Sequence, residues 1–158
     1  MRRVAIVMCV VAVSLAATSL AAQTKPSFAG DWMMIGPDGR GVPETTLVIT
    51  QTASAMTVES GGCGQPLSGK LTYQLDGSAS KNRVASPGSA GGVEQTSKAT
   101  WAGSSVIVTT VTSTGEEKRT FSMTGGNLVI ETSASAQRAG GAHGGKVIYT
   151  RHQCGFGG

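Results

Sequence analysis

The residues able to do chemistry are few and scattered. Gly64-Gln-Pro-Leu-Ser-Gly69-Lys70 has the glycine and lysine spacing of a phosphate-binding loop. Leu71 stands where a Ser or Thr should reach magnesium, and Pro66 interrupts the loop. The residues that follow alternate as a strand does instead of opening a helix, so no phosphate site is expected. His143 and His152 are the only histidines. With Cys63 and Cys154 they make four metal-capable side chains that fit no usual zinc spacing, and the expectation is no metal and no cofactor. Glu116-Glu117 offers paired carboxylates, but neighbours along a strand point to opposite faces. Lys118 and Arg119 follow directly, so the pair reads as a solvated charged corner of a hairpin. Asp31, Asp76 and Glu131 have no evident partners, and no serine sits in a nucleophile-elbow pattern. The expectation is that the protein is not an enzyme.

The elements that must position any site begin after a leader. Residues 1–22 read as a secretory signal peptide: Met1-Arg2-Arg3 is the charged start, Val4 to Ala17 the apolar stretch, and Ser19-Leu20-Ala21-Ala22 the small residues for cleavage after Ala21 or Ala22. The apolar stretch is shorter than the roughly 20 residues of a membrane-spanning helix. Cys9 leaves with the leader. Cleavage implies a periplasmic or extracellular protein with no membrane span, and removing Arg2 and Arg3 leaves 11 Lys+Arg against 9 Asp+Glu. The basic residues are scattered, without interleaved aromatics, which argues against nucleic acid as a partner. Cys63 and Cys154 then sit in an oxidising compartment, where a pair is expected to form a disulfide; two free thiols are the alternative. In the chain-entropy model a bridge closing about 90 residues stabilises by roughly 4 kcal/mol.

Composition favours strands. Charged residues are 14% of the chain, against about 25% in typical domains. Gly, Ser, Thr and Val are abundant, and all sit low on the helix scale. Residues 23–27 read as a tether, 28–154 as one β-domain and 155–158 as a tail. Nine strands are expected: Phe28–Ile35, Thr45–Gln51, Ala55–Glu59, Lys70–Leu75, Gln95–Trp101, Ser105–Ser113, Glu117–Met123, Asn127–Ser133 and Lys146–His152. Gly36-Pro-Asp-Gly39 and Gly41-Val-Pro43 mark a loop, and Asp76-Gly77 a turn. Ser78 to Val93, rich in Ser, Gly and Ala, reads as a long irregular loop, and Ala134–Gly145 as a second one. Local hairpins in succession predict a single antiparallel up-and-down β-barrel of about 8–10 strands, with a two-sheet sandwich as the alternative. Most strands are too short and too poor in aromatics for an outer-membrane barrel.

Two end motifs carry a resemblance. Gly30-Asp31-Trp32, after Phe28, and Val147-Ile148-Tyr149-Thr150-Arg151 resemble the first and last strands of the calycins, the lipocalins and fatty-acid-binding proteins. The resemblance implies that Gly30, Trp32 and Arg151 close the barrel, with Arg151 packed over the indole in a cation–π contact of about 0.5–2 kcal/mol. Tyr73 to Asn82, Ala99-Thr100-Trp101 and Arg119-Thr120-Phe121 also resemble small exported bacterial proteins of lipocalin-like shape. The chain departs from the lipocalins in lacking a Thr-Asp-Tyr motif. It departs from the fatty-acid-binding proteins in lacking a helix-turn-helix lid between the first two strands.

What remains for function is the barrel interior, with Leu71, Tyr73, Trp101, Val106, Val108, Phe121, Met123 and Tyr149 as its expected lining. A barrel of about eight strands can be filled by its side chains or hold one small ligand. The resemblance implies an exported, non-enzymatic barrel that binds a small apolar or amphipathic molecule. A protein-binding module is the alternative, an inhibitor of an extracellular hydrolase or an envelope assembly factor, with the two long loops as its contacts.

Overall fold

The computed structural model describes residues 24–62, 65–86, 89–112, 115–134 and 144–153. Ten strands run through them: β1 (Gly30–Ile35), β2 (Gly41–Gln51), β3 (Ala55–Gly62), β4 (Gln65–Gln74), β5 (Asp76–Ser86), β6 (Ser89–Ala102), β7 (Ser105–Thr112), β8 (Gly115–Thr124), β9 (Asn127–Ala134) and β10 (Gly145–Arg151). They form one antiparallel sheet in the order β4-β3-β2-β1-β10-β9-β8-β7-β6-β5. Pairing of β1 with β10 curls this meander into a nearly closed barrel, as expected, and a single continuous sheet replaces the two-sheet alternative. All regular structure among the described residues is strand.

Residue type explains the strands locally. Along β7, Val106, Val108 and Thr110 are buried while Ser105, Ile107 and Thr109 are half-buried, the period-2 pattern of a sheet with one face inside. Two-residue turns join β6 to β7 and β8 to β9 at one end. Gly125 and Gly126, with φ of 58° and 84°, close the β8–β9 hairpin between the paired Thr124 and Asn127. A turn with positive φ at both central residues matches the twist of the flanking strands, and glycine enters it without strain.

The tenth strand is a correction. Residues 78–86 and 89–93, expected as irregular loop, belong to β5 and β6, the longest hairpin of the sheet. The alternation is present but written in small polar residues: Ser80 and Asn82 are buried, Lys81 and Arg83 exposed. Gly41 to Pro43, expected as loop, opens β2, and residues 65–69 extend the strand expected from Lys70 into β4. Residues 36–40 form a compact turn, Gly36 N–H to Arg40 O at 2.7 Å, where fatty-acid-binding proteins carry a helical lid. The residues expected as signal peptide (1–22) and tail (155–158), Cys63, Cys154, His143 and most of the span 134–145 expected as loop lie outside the described residues.

The core lies inside the barrel, where Phe28, Trp32, Met56, Val106, Val108 and Leu128 are fully shielded from solvent. Phe28 precedes β1 instead of opening it. It turns into the barrel and stacks on Trp101, ring centroids 5.8 Å apart.

Candidate functional site

One end of the barrel is sealed by short-range geometry. Trp32 and Arg151 are register partners on β1 and β10. The Arg151 guanidinium carbon lies 4.6 Å from the centre of the Trp32 ring, and its Nη1 donates to the Ala29 carbonyl at 3.0 Å. Gly30, at φ 139°, leaves room for it: a Cβ there would sit 2.5 Å from Arg151 Nη1. Trp32 Nε1 donates to the Phe28 carbonyl at 2.8 Å, and the Phe28 N–H donates to Gln51 Oε1 at 2.7 Å. Every polar group exposed by inserting Phe28 is thus used to hold it in place, as buried polar groups require.

Strand registers arrange the lumen-facing side chains in rows. The row above the plug is apolar: Trp101, Val106, Phe121, Ile130 and Val147. The next holds Ala99, Val108, Arg119 and Thr132. The next is polar: Ser80, Ser97, Thr110 and Glu117. Four residues along a strand are about 13 Å, so this wall passes from hydrocarbon to hydroxyl and charge over the length of a small molecule. Ser97 Oγ and Thr110 Oγ1 hydrogen-bond across the wall at 2.8 Å.

Glu117 and Arg119 correct the expectation of a solvated corner. They share the face of Phe121 and lie opposite Thr110 and Val108, so both enter the lumen. Arg119 Nε and Glu117 Oε1 are 2.6 Å apart with both side chains half-buried. The guanidinium is also within hydrogen-bonding reach of the Tyr73 hydroxyl. Tyr73 stands on β4, which is not a sheet neighbour of β8, so this contact crosses the lumen. Burial raises the Tyr73 phenol above its ordinary value; Arg119 counteracts and Glu117 adds to the rise. Burial likewise raises Tyr149, opposed by Arg119. Both hydroxyls are therefore neutral near pH 7, able to donate and to accept.

Tyr73, Val106, Val108, Phe121 and Tyr149 are buried, and Leu71, Trp101 and Met123 pack against them partly buried, so the structure brings these eight to one core. Trp101 Nε1 is buried without a hydrogen-bond partner. An unmet buried donor costs about 1–3 kcal/mol, which a ligand acceptor would recover. Sequence reasoning missed Glu117, Arg119, Ser80, Asn82, Ser97 and Thr110. The signal for the first two was available: Glu117, Arg119 and Phe121 follow one another at steps of two along the strand, so they share one face. No group of three His, Cys, Asp or Glu comes together among the described residues.

No protein-family model matches this chain, and no curated protein matches it in sequence. Solved structures match it in shape. The zebrafish ileal bile acid-binding protein complexed with cholic acid aligns with a TM-score of 0.56 at 15% identity, covering 79% of this chain and 98% of that one. The fluorescent protein UnaG aligns at 0.55 and 16%, covering 79% and 97%. A REP1-NXSQ fatty acid transporter variant aligns at 0.55 and 10%, covering 78% and 97%. At these identities the likeness shows the fold alone, a nearly closed antiparallel β-barrel. In this barrel the Trp32 end is plugged, and the polar groups gather toward the other end.

Proposed function

We propose that the protein is an exported, non-enzymatic carrier that holds one small amphipathic molecule inside the barrel. The graded lumen wall carries the reading. Trp101, Val106 and Phe121 suit an apolar body, and Arg119, Glu117 and Tyr73 suit a polar end. The unpaired Trp101 N–H gives a bound molecule a donor inside the apolar zone. The shape shared with a protein complexed with cholic acid and with a fatty acid transporter supports the same reading. Export rests on the leader at residues 1–22 and places the carrier in a periplasmic or extracellular space. The alternative, a protein-binding module with projecting loops, loses support because residues 78–86 and 89–93 are strand.

The test is binding of N-phenyl-1-naphthylamine, a neutral dye that brightens in apolar surroundings. The expected result is saturable one-to-one binding that Val108→Trp, which fills the lumen from the second row, weakens by at least about tenfold. No saturable binding by the folded wild-type chain would exclude an accessible lumen.

A further inference from the structure

The charge balance at the polar end decides which head group it favours. Among the described residues of β4 to β9, Glu117 and Arg119 are the only charged residues at lumen-facing positions. Arg119 Nε is already engaged by Glu117 Oε1 at 2.6 Å, and the guanidinium also reaches Tyr73. Arg119, the lumen-facing cation of these described strands, is therefore paired by the chain itself. A ligand carboxylate brought to Arg119 would enter the same half-buried space as the Glu117 carboxylate, and like charges so placed are strongly unfavourable. Uncharged hydroxyls lie near it: those of Tyr73 and Tyr149, and the Ser97–Thr110 pair at 2.8 Å on the adjoining row. Hydroxyls offer both donors and acceptors, the complement of a hydroxylated head.

We infer that the lumen selects amphipathic molecules with an uncharged, hydroxyl-bearing head over carboxylates with the same apolar body, and that Glu117 sets this preference. The inference rests on the binding function proposed above. Monoacylglycerols have the required chemistry: a single acyl chain, an ester and two hydroxyls.

Displacement of N-phenyl-1-naphthylamine from the folded chain at neutral pH tests it, with monoolein, oleyl alcohol and oleate each kept below its aggregation threshold. In the wild type, monoolein is expected to displace the dye at a concentration at least about tenfold below that of oleate, with oleyl alcohol between them. Glu117→Gln, which keeps the shape and removes the charge, is expected to strengthen oleate by about tenfold and so to narrow the gap between oleate and monoolein. Oleate equal to or better than monoolein in the wild type overturns the inference and leaves the binding function standing. So does an oleate affinity unchanged by Glu117→Gln. Displacement by none of the three overturns both. The wild-type ranking stands as a test even if the variant does not fold.

Discussion

Trp32 illustrates how a few side chains close this molecule. Its ring is fully buried, its N–H is used by the Phe28 carbonyl, and its outer face is covered by Arg151. Gly30 and Arg151 are coupled by geometry, since any Cβ at residue 30 meets the guanidinium. Arg151→Met is expected to lower stability by about 1 kcal/mol, the scale of a cation–π contact at a partly exposed site. Gly30→Ala should cost more, from the positive φ and the displaced arginine. The double variant should lose less than the sum, because Gly30→Ala has then no guanidinium to displace. Urea unfolding of the four proteins checks this; strict additivity would show that the contact is not shared. The same scale yields a pH prediction. The chain has only two tyrosines, Tyr73 and Tyr149, and burial raises both phenols in the fold. A raised folded value favours the neutral phenol, so its contribution to stability is fully present below the unfolded value of about 10 and is lost as pH rises through the folded value. Tyrosinate absorbance should thus appear only above about pH 10 and coincide with loss of structure. Titration at the unperturbed value with the barrel intact would contradict the burial.

At the scale of elements, the weak line is the seam between β4 and β5. They are consecutive strands joined at Leu75, yet they stand at opposite ends of the sheet order without a backbone ladder. Side chains from β5 fill the role. Asn82 Oδ1 accepts from the Thr72 N–H at 2.7 Å, and Asn82 Nδ2 donates to the Thr72 carbonyl at 3.0 Å. Ser80 Oγ accepts from the Gln74 N–H at 2.9 Å. The Asn82 carboxamide thus takes the place of a peptide group. Asn82→Ala should destabilise by about 1–3 kcal/mol, because it strands the Thr72 groups without partners. It should also speed amide exchange at Thr72 and Gln74 while leaving β7 and β8 protected. Uniformly faster exchange would show that the seam does not open on its own.

This seam also shows what the sequence could and could not reveal. The Val/Thr strands and glycine turns were legible, because their apolar alternation states which face is inside. β5 was not, because its buried positions, Ser80 and Asn82, are polar and are stabilised by hydrogen bonds to a strand that only the folded barrel brings near. Arg119 failed for a related reason. A charged residue reads as solvated until its register opposite Val108 and its reach to Tyr73 are known. The plug was legible through Gly30, Trp32 and Arg151, whose types are constrained by close contact.

At the scale of the whole molecule, the barrel is asymmetric. Short turns, Phe28 and Trp32 occupy one end, and the hydroxyl and charged rows lie toward the other. Such a molecule gains stability from whatever fills it: a ligand at a hundred times its dissociation constant adds about 2.7 kcal/mol. The central claim, that the lumen holds one small amphipathic molecule, is tested most directly by native mass spectrometry of the protein purified from its own host. The predicted result is a folded chain carrying one non-covalent adduct of defined mass, released when the chain is denatured and regained on incubation with the extracted compound. A folded chain that arrives bare and takes up neither monoolein nor oleate in excess would contradict it.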